Sequence, residues 1–218
     1  MFKYTKAELA AKANELGFVR DTMEKVFRLA DILEYLNTNP LTKDTLALKG
    51  GTAINLTVFN LPRLSVDIDL DYSEDISRED MLKKREQITA DIKTYMSTQG
   101  YQLSDKSKYR HSLDSFVFVY QNLGGMNDNI KIEINYSLRC HIFELIRVPI
   151  ITQIISTDKL VLSVTPMEIF AAKINALLSR AAARDLYDTY NMIKFGLFDE
   201  SQYFILPFHK RKFPKNTD

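Results

Sequence analysis

Cysteine, tryptophan, glycine and proline are all scarce in this chain of 218 residues, which has one cysteine, no tryptophan, seven glycines and six prolines. The single cysteine, Cys140, excludes an internal disulfide framework and any zinc site built from several cysteines. The few glycines and prolines form no flexible linker or low-complexity tract. We therefore expect an ordered protein of a reducing compartment, the cytoplasm.

An excess of one charge and long apolar runs are also missing. The chain has 29 basic and 28 acidic residues, so its overall charge gives no reason to expect a nucleic-acid or membrane partner, and any basic surface must be local. The first residues, MFKYTKAELAAKANELG, lack the apolar run of a signal peptide, and LIRVPIITQII is too short and too charged to span a bilayer. We expect no membrane association.

The succession of helical and strand patterns predicts an α/β (α+β) protein, in which helices flank a small mixed sheet and a helical lobe follows. Helical spacing and capping residues predict two helices within 5–37, a short one ending before Pro62, one at 77–99 and helix from Thr165 to about 195. Strand patterns occur at 45–49, 66–72, 114–122, 129–137, 144–150 and 159–164. These patterns predict a domain of residues 1–164 and a helical lobe of residues 165–218.

Three aspartates alternate with apolar residues in VDIDLDY, residues 66–72. Side chains on a strand alternate between faces, so Asp67, Asp69 and Asp71 project from one face and the apolar residues from the other. Carboxylates at this spacing repel one another and fit either a solvated edge strand or a site that binds a divalent cation. This motif alone leaves both interpretations open.

Two further features favour a phosphate and metal site. Gly50 and Gly51 precede a helical pattern, and such a turn presents backbone N–H groups to an anion, to which Thr52 adds a hydroxyl. In NIKIEINY, residues 129–136, isoleucines mark the buried face and Glu133 lies on the other. Glu133 is the candidate third carboxylate, although an isolated strand glutamate is more often simply exposed to solvent.

A basic stripe is predicted in the last helical stretch. If one helix continued through residues 173–188, Lys173, Arg180 and Arg184 would share a face. Such a stripe would suit a triphosphate. The alternative is an ordinary solvated helix face with an Arg184–Asp188 ion pair.

Four blocks in this order carry a resemblance: LKGGTAINL, RLSVDIDL, KIEINYS and PMEIFAAKINALLSRAAARDLYDTY. Together they resemble the AbiEii/AbiGii-type toxin nucleotidyltransferases over most of residues 45–192. The resemblance implies a minimal nucleotidyltransferase fold, magnesium (two ions), and a nucleoside triphosphate substrate such as GTP or CTP. It also implies a cognate antitoxin and, for some members, tRNA as the acceptor.

The resemblance implies roles for individual residues as well. It assigns metal and nucleotide binding to the first block and the acids, and phosphate binding to Lys173. One of the two aspartates of RDLYD is implied in the active site, without a choice between Asp185 and Asp188. Arg63 and Ser65 match the family's R-x-S-x-D-I-D run, for which simple turn chemistry after Pro62 is the alternative. The residues implied by the first block and the acids are Gly50, Gly51, Thr52, Asp67, Asp69 and Glu133.

Two other functions stay open. A non-catalytic binding or antitoxin-like module could keep the fold, although nothing would then retain repelling carboxylates side by side. A metal-dependent nuclease also uses clustered acids, but the Gly-Gly turn and Lys173 favour nucleotide transfer. The basic tail HKRKFPK fits either an RNA contact or a loosely packed end.

Overall fold

The computed structural model describes residues 4–58, 65–151, 156–194 and 196. A π-helical turn, Ile54–Val58, directly continues the short helix α3. The helices are α1 (Lys6–Leu16), α2 (Arg20–Thr38), α3 (Gly50–Ala53), α4 (Arg78–Thr98), α5 (Pro166–Arg180) and α6 (Ala183–Lys194). The strands are β1 (Leu46–Lys49), β2 (Asp67–Tyr72), β3 (Gln102–Leu103), β4 (Lys108–Arg110), β5 (Leu113–Gln121), β6 (Asn127–Asn135), β7 (Ile146–Ile151) and β8 (Ser156–Ser163).

The strands of the described part form one eight-stranded mixed sheet in the order β3-β5-β6-β2-β1-β8-β7, in which β4 also pairs with β5. The α/β prediction is confirmed, although the sheet is larger than expected because β3 and β4 were not predicted. Strand β2 lies between β1, which is antiparallel to it, and β6, which is parallel. An interior strand excludes the edge-strand interpretation of the aspartates. Strands β5 and β6 pair antiparallel as a hairpin around the loop LGGMND, residues 123–128.

One face of the sheet forms the core. Ile68 and Leu70 of β2 pair in register with Ile132 and Ile134 of β6, and all four are at most 2% exposed. The buried faces of α2 and α4 join the same cluster. The strands alternate as predicted, so the aspartates of β2 lie on the opposite face. None of the described helices is long and apolar enough to cross a membrane.

The predicted helix from Thr165 is wrong in one respect, since it is broken into α5 and α6. Its start is as predicted: the Thr165 hydroxyl accepts a hydrogen bond from the Glu168 N–H, and proline occupies the first turn. The break occurs because Ala181 adopts a left-handed conformation with φ of 48°, which costs energy for a residue with a Cβ. Lys173, Arg180 and Arg184 therefore do not form one continuous helical stripe.

The predicted domain boundary at 164/165 falls between the end of β8 and the start of α5. No flexible tether separates the two parts, because Ile169 and Phe170 of α5 are buried in the same core as the sheet. The division into two domains stays a prediction.

Candidate active site

The predicted acids come together on the polar face of the sheet. Asp69 of β2 pairs in register with Glu133 of β6, and Asp67 pairs with Lys131. The three carboxylates are half-buried and line one cavity of about 400 Å³. Only the parallel pairing of β2 with β6 decides that Glu133 is the neighbour of Asp69.

Asp71 differs from the other two aspartates. It is 1% exposed, and Lys49 of β1 donates a hydrogen bond to its carboxylate. The ion pair neutralises this third acid. Sequence reasoning missed Lys49, because only the β1–β2 pairing brings it to the acid face.

Two neighbouring carboxylates have opposite pKa shifts. Burial raises the pKa of Asp69 to about 6, and the charges of Glu133 and Asp67 act in the same direction. Burial also acts to raise the pKa of Glu133, but hydrogen bonds from Lys131 and Ser115 outweigh it and hold that pKa below its usual value. Glu133 therefore stays ionised near neutral pH. The ionised form of Asp69 is disfavoured by burial and by the negative charges beside it.

The Gly-Gly turn lies directly against Asp69. Gly50 has a left-handed φ of 72°, and a Cβ at this position would stand 2.7 Å from Oδ2 of Asp69. Gly50 and Gly51 line the cavity as they begin a helical segment, whose first N–H groups lack partners within the helix. The prediction that Thr52 offers its hydroxyl to the anion needs correction, because Thr52 is fully buried and its hydroxyl donates to the backbone carbonyl of Asp67. In this structure Thr52 positions the acidic strand.

The opposite wall of the cavity carries Lys173 of α5. Its Nζ lies 2.8 Å from Oδ2 of Asp188 and 3.4 Å from Oδ1 of Asp185, and its side chain is 11% exposed. Both aspartates are fully buried. Asp185 lines the cavity together with Lys173, whereas Asp188 is not among the lining residues. The left-handed turn at Ala181 brings α6 back, so that its carboxylates meet α5.

Two arginines stand at the rim of the same cavity. Arg180 forms a two-pronged ion pair with Asp185, with N···O distances of 2.6 and 2.9 Å, and this hydrogen bonding holds the pKa of Asp185 low. Arg184 is exposed and lines the cavity. Ser65 also lines it, while Arg63 lies outside the described residues. The Arg184–Asp188 ion pair, the alternative to a basic stripe, does not form; Asp188 is paired with Lys173 instead.

A half-buried histidine, His141, connects the acidic strand to the start of α5. His141 lies 2.9 Å from the hydroxyl of Ser73, which follows β2, and 3.1 Å from Oε1 of Glu168. Glu168 also lines the cavity. The link holds α5, and hence Lys173, at a fixed place over the sheet. No spacing in the sequence indicates it, since the three residues are far apart along the chain.

Within residues 4–58, 65–151, 156–194 and 196, no three His, Cys, Asp or Glu side chains form a ready-made metal site. Asp67, Asp69 and Glu133 nevertheless line one cavity with carboxylate oxygens, the ligand type that Mg²⁺ prefers. Their mutual repulsion contributes to the raised pKa of Asp69, and a divalent cation would relieve it. The donor set therefore fits a divalent cation.

Three solved structures share the fold of this chain. MenT4, a nucleotidyltransferase toxin from Mycobacterium tuberculosis, aligns with a TM-score of 0.59 and 19% identity over 85% of this chain and 63% of its own. The JHP933 protein from Helicobacter pylori aligns with a TM-score of 0.51 and 22% identity over 78% of this chain and 64% of its own. A putative nucleotidyltransferase from Helicobacter pylori aligns with a TM-score of 0.51 and 23% identity over 79% of this chain and 67% of its own. The chain thus spans less than two thirds of the length of two of these structures.

No curated protein sequence matches the chain. The sequence model of the family described as nucleotidyl transferase AbiEii toxin, type IV toxin–antitoxin system, matches residues 31–214. The matched region includes the Gly-Gly turn, the acidic strand, Glu133, helix α5 with Lys173, and helix α6. The chain therefore belongs to the AbiEii nucleotidyl transferase toxin family.

Proposed function

We propose that this protein transfers a nucleoside monophosphate from a nucleoside triphosphate to an acceptor hydroxyl and releases pyrophosphate. One observation carries the proposal: the in-register pair Asp69–Glu133 shares a cavity with Lys173, and Gly50 lies against Asp69. The sheet wall carries three half-buried carboxylates beside Lys49 and Lys131, and the helix wall carries Lys173, Arg180 and Arg184 beside Asp185. This division suits a substrate that carries a chain of phosphates, whose metal-binding and terminal parts need opposite charges.

Asp67, Asp69 and Glu133 would hold magnesium, in two ions. Bound Mg²⁺ neutralises charge on the transferred phosphoryl group and on the attacking and leaving oxygens. Lys131 and Lys49 remain beside the acids and limit the repulsion among them, as their effects on Asp69 indicate. The acid set can therefore stay on one face of the folded sheet before any ion binds.

Lys173 would bind the β- or γ-phosphate. Asp185 and Asp188 fix its ammonium group from the side of α6, so the lysine needs little further ordering when the phosphate arrives. Arg180 and Arg184 would contact the same phosphates from the rim, while the Gly50 and Gly51 amides and Ser65 would face the nucleotide from the sheet side. Asp188 would act through Lys173, whereas Asp185 also faces the cavity.

The proposed substrates and partner are those that the family resemblance implies. GTP or CTP is the favoured nucleotide, tRNA the favoured acceptor and a cognate antitoxin the partner. MenT4 shares this fold and is a nucleotidyltransferase toxin, which supports nucleotide transfer as the activity proposed for this chain. The basic tail HKRKFPK lies outside the described residues, so its contact with RNA stays a prediction.

Incubation with each labelled nucleoside triphosphate, total RNA and Mg²⁺ tests the proposal. We expect one nucleotide to enter acid-precipitable RNA, and we expect chelation of the metal or Asp69→Asn to prevent it. A sizing gel distinguishes extension from cleavage. Shortened RNA without incorporation would support a nuclease, and nucleotide binding without either change would support the non-catalytic module.

The toxin role has a separate test. Expression in a bacterium that lacks the antitoxin should slow growth, and expression of Asp69→Asn should not. Normal growth with soluble, nucleotide-transferring protein would contradict the toxin role and leave the enzymatic proposal intact.

A further inference from the structure

A second cavity opens next to the paired acids. It has a volume of about 290 Å³ and shares Lys49, Asp69 and Glu133 with the first cavity, but it extends towards Ser112 and Asn135 instead of Lys173. The Asp69–Glu133 pair thus lines both cavities. If the first holds the triphosphate, the attacking hydroxyl must reach the same pair from another direction, because the attacking and leaving oxygens lie roughly in line.

The sheet extends from this second cavity to two cations. Glu133 of β6 pairs with Ser115 of β5, which pairs with Lys108 of β4. In the next row, Asn135 pairs with Leu113, which pairs with Arg110.

Residues directly opposite each other on neighbouring strands project from the same face. Lys108 and Arg110 therefore lie on the face of the acids. They stand two strands from β6, a distance of about 10 Å.

Both cations are available for an anion. Lys108 and Arg110 are exposed, and neither makes an ion pair with any residue in the described ranges. Tyr109 between them projects from the other face, where its ring meets Phe116 edge-on with centroids 5.6 Å apart. The Nζ of Lys93 lies 4.8 Å from the same ring. The core side thus anchors the β4–β5 hairpin while its two cations face outwards.

We propose that the β4–β5 hairpin binds the phosphates of a polynucleotide acceptor. Lys108 and Arg110 contact phosphates next to the terminal nucleotide, and the terminal hydroxyl reaches Asp69 and Glu133 through the second cavity. A polynucleotide strand is favoured over a single nucleotide because both cations lie two strands, about 10 Å, from the strand of Glu133, and only a chain repeats its phosphates along such a path. The assignment of the bound end as an acceptor rests on the proposed function.

The test compares Lys108→Ala/Arg110→Ala with the matched double variant Lys6→Ala/Lys83→Ala, which removes two exposed lysines from α1 and α4. Fluorescence anisotropy with a short, labelled single-stranded RNA is measured over a range of salt concentrations. We expect the hairpin variant to bind about 10-fold or more weakly at low salt. The slope of log K against log salt should fall by about 1.4, the value for two lost phosphate contacts. The control should match the wild type.

Three results would overturn the inference. The first is that the hairpin variant binds RNA with the affinity and salt slope of the wild type. The second is that the control variant loses as much RNA affinity as the hairpin variant. The third is that the wild type binds polyglutamate but not RNA, which would indicate an acidic protein partner. Calorimetry of nucleotide binding should give the same affinity for both double variants, because Lys108 and Arg110 do not line the nucleotide cavity.

The binding experiment is independent of catalysis, since Asp69→Asn can serve as the background protein. Hairpin-dependent RNA binding, together with a wild type that transfers no nucleotide, would support the surface and count against the proposed function. Transfer to RNA at the wild-type rate and affinity in the hairpin variant would overturn the surface and leave the proposed function standing.

Discussion

The backbone of Gly50 lies against the carboxylate of Asp69, so closely that a Cβ at position 50 would stand 2.7 Å from Oδ2 of Asp69. The contact joins the turn that begins α3 to the centre of the acidic strand. It explains why the chain places a glycine, in a left-handed conformation, where most residues would be strained and would also displace the carboxylate.

Gly50→Ala should therefore remove activity by displacing Asp69. A displacement of about 1 Å at a reacting centre costs on the order of 100-fold in rate, so we expect at least that loss in nucleotide transfer. Gly17→Ala is the matched control, because Gly17 has a φ of 70° but no neighbour within 4 Å. It should lose about 1 kcal/mol of stability and keep full activity. Equal activity in the two variants would contradict the steric explanation.

Asp69→Asn should abolish transfer and stabilise the metal-free protein above neutral pH. The raised pKa of Asp69, about 6, means that the folded chain binds more protons than the unfolded chain between about pH 4 and 6. Stability from this residue is thus present at low pH and lost as pH rises through 6. Asparagine removes that loss, so we expect a gain of about 1 to 2 kcal/mol at pH 8 and almost none at pH 4.

Urea unfolding of Asp69→Asn and wild type with a chelator present, at several pH values, measures this difference. A gain that does not change with pH would show that the charge of Asp69 is not responsible. Asp67→Asn should also lose transfer, because it too removes a proposed metal ligand without a change of volume. Near-full activity in both variants would contradict the metal-binding role.

Lys173→Ala should weaken nucleoside triphosphate binding about 10- to 150-fold, the loss of one charge-assisted phosphate contact. Mg²⁺ affinity should barely change. Lys173→Arg should keep only part of the nucleotide affinity, because a planar guanidinium replaces a compact ammonium between two aspartates. Calorimetry with nucleotide, and separately with Mg²⁺, measures these effects, and unchanged nucleotide affinity in Lys173→Ala would remove this residue from the site.

The structure requires two controls for that measurement. Lys173→Ala leaves Asp188 buried beside a lost partner, so Lys173→Ala/Asp188→Asn should recover stability without recovering nucleotide affinity. Arg184→Ala measures the contribution of the rim and should lose less affinity than Lys173→Ala, since Arg184 also lines the cavity but is exposed to solvent. Arg180 is less suitable because it also holds Asp185. An equal loss in Arg184→Ala would indicate a diffuse basic field.

Ala181→Gly should stabilise the protein by up to about 1 kcal/mol. Left-handed strain at an alanine costs about 1 to 2 kcal/mol, of which glycine's greater freedom in the unfolded chain offsets roughly half. Ala182→Gly is the control, since Ala182 has no positive φ and should only lose stability. Thermal unfolding followed by circular dichroism measures both, and the reverse order of melting temperatures would contradict the strain argument.

Local patterns in the sequence determined the elements and their faces. The alternation in VDIDLDY placed Asp67 and Asp69 on the face opposite Ile68, and the residues Thr165 and Ser77 marked two helix starts that the structure has at the same positions. Such features depend on residues within one turn or one strand, so they can be read without knowledge of the fold. The short strands β3 and β4 escaped prediction because two or three residues give no periodicity.

Tertiary structure alone decided which charges meet. Glu133 became the neighbour of Asp69 through the parallel β2–β6 register, and Lys49 reached Asp71 through the β1–β2 pair. The break at Ala181 went unpredicted because alanine favours helix and nothing nearby in sequence opposes it. The turn it makes lets Asp185 bond both Arg180 and Lys173, and these ion pairs offset the local strain. Strand register and charge pairing depend on contacts between distant segments, which no local pattern specifies.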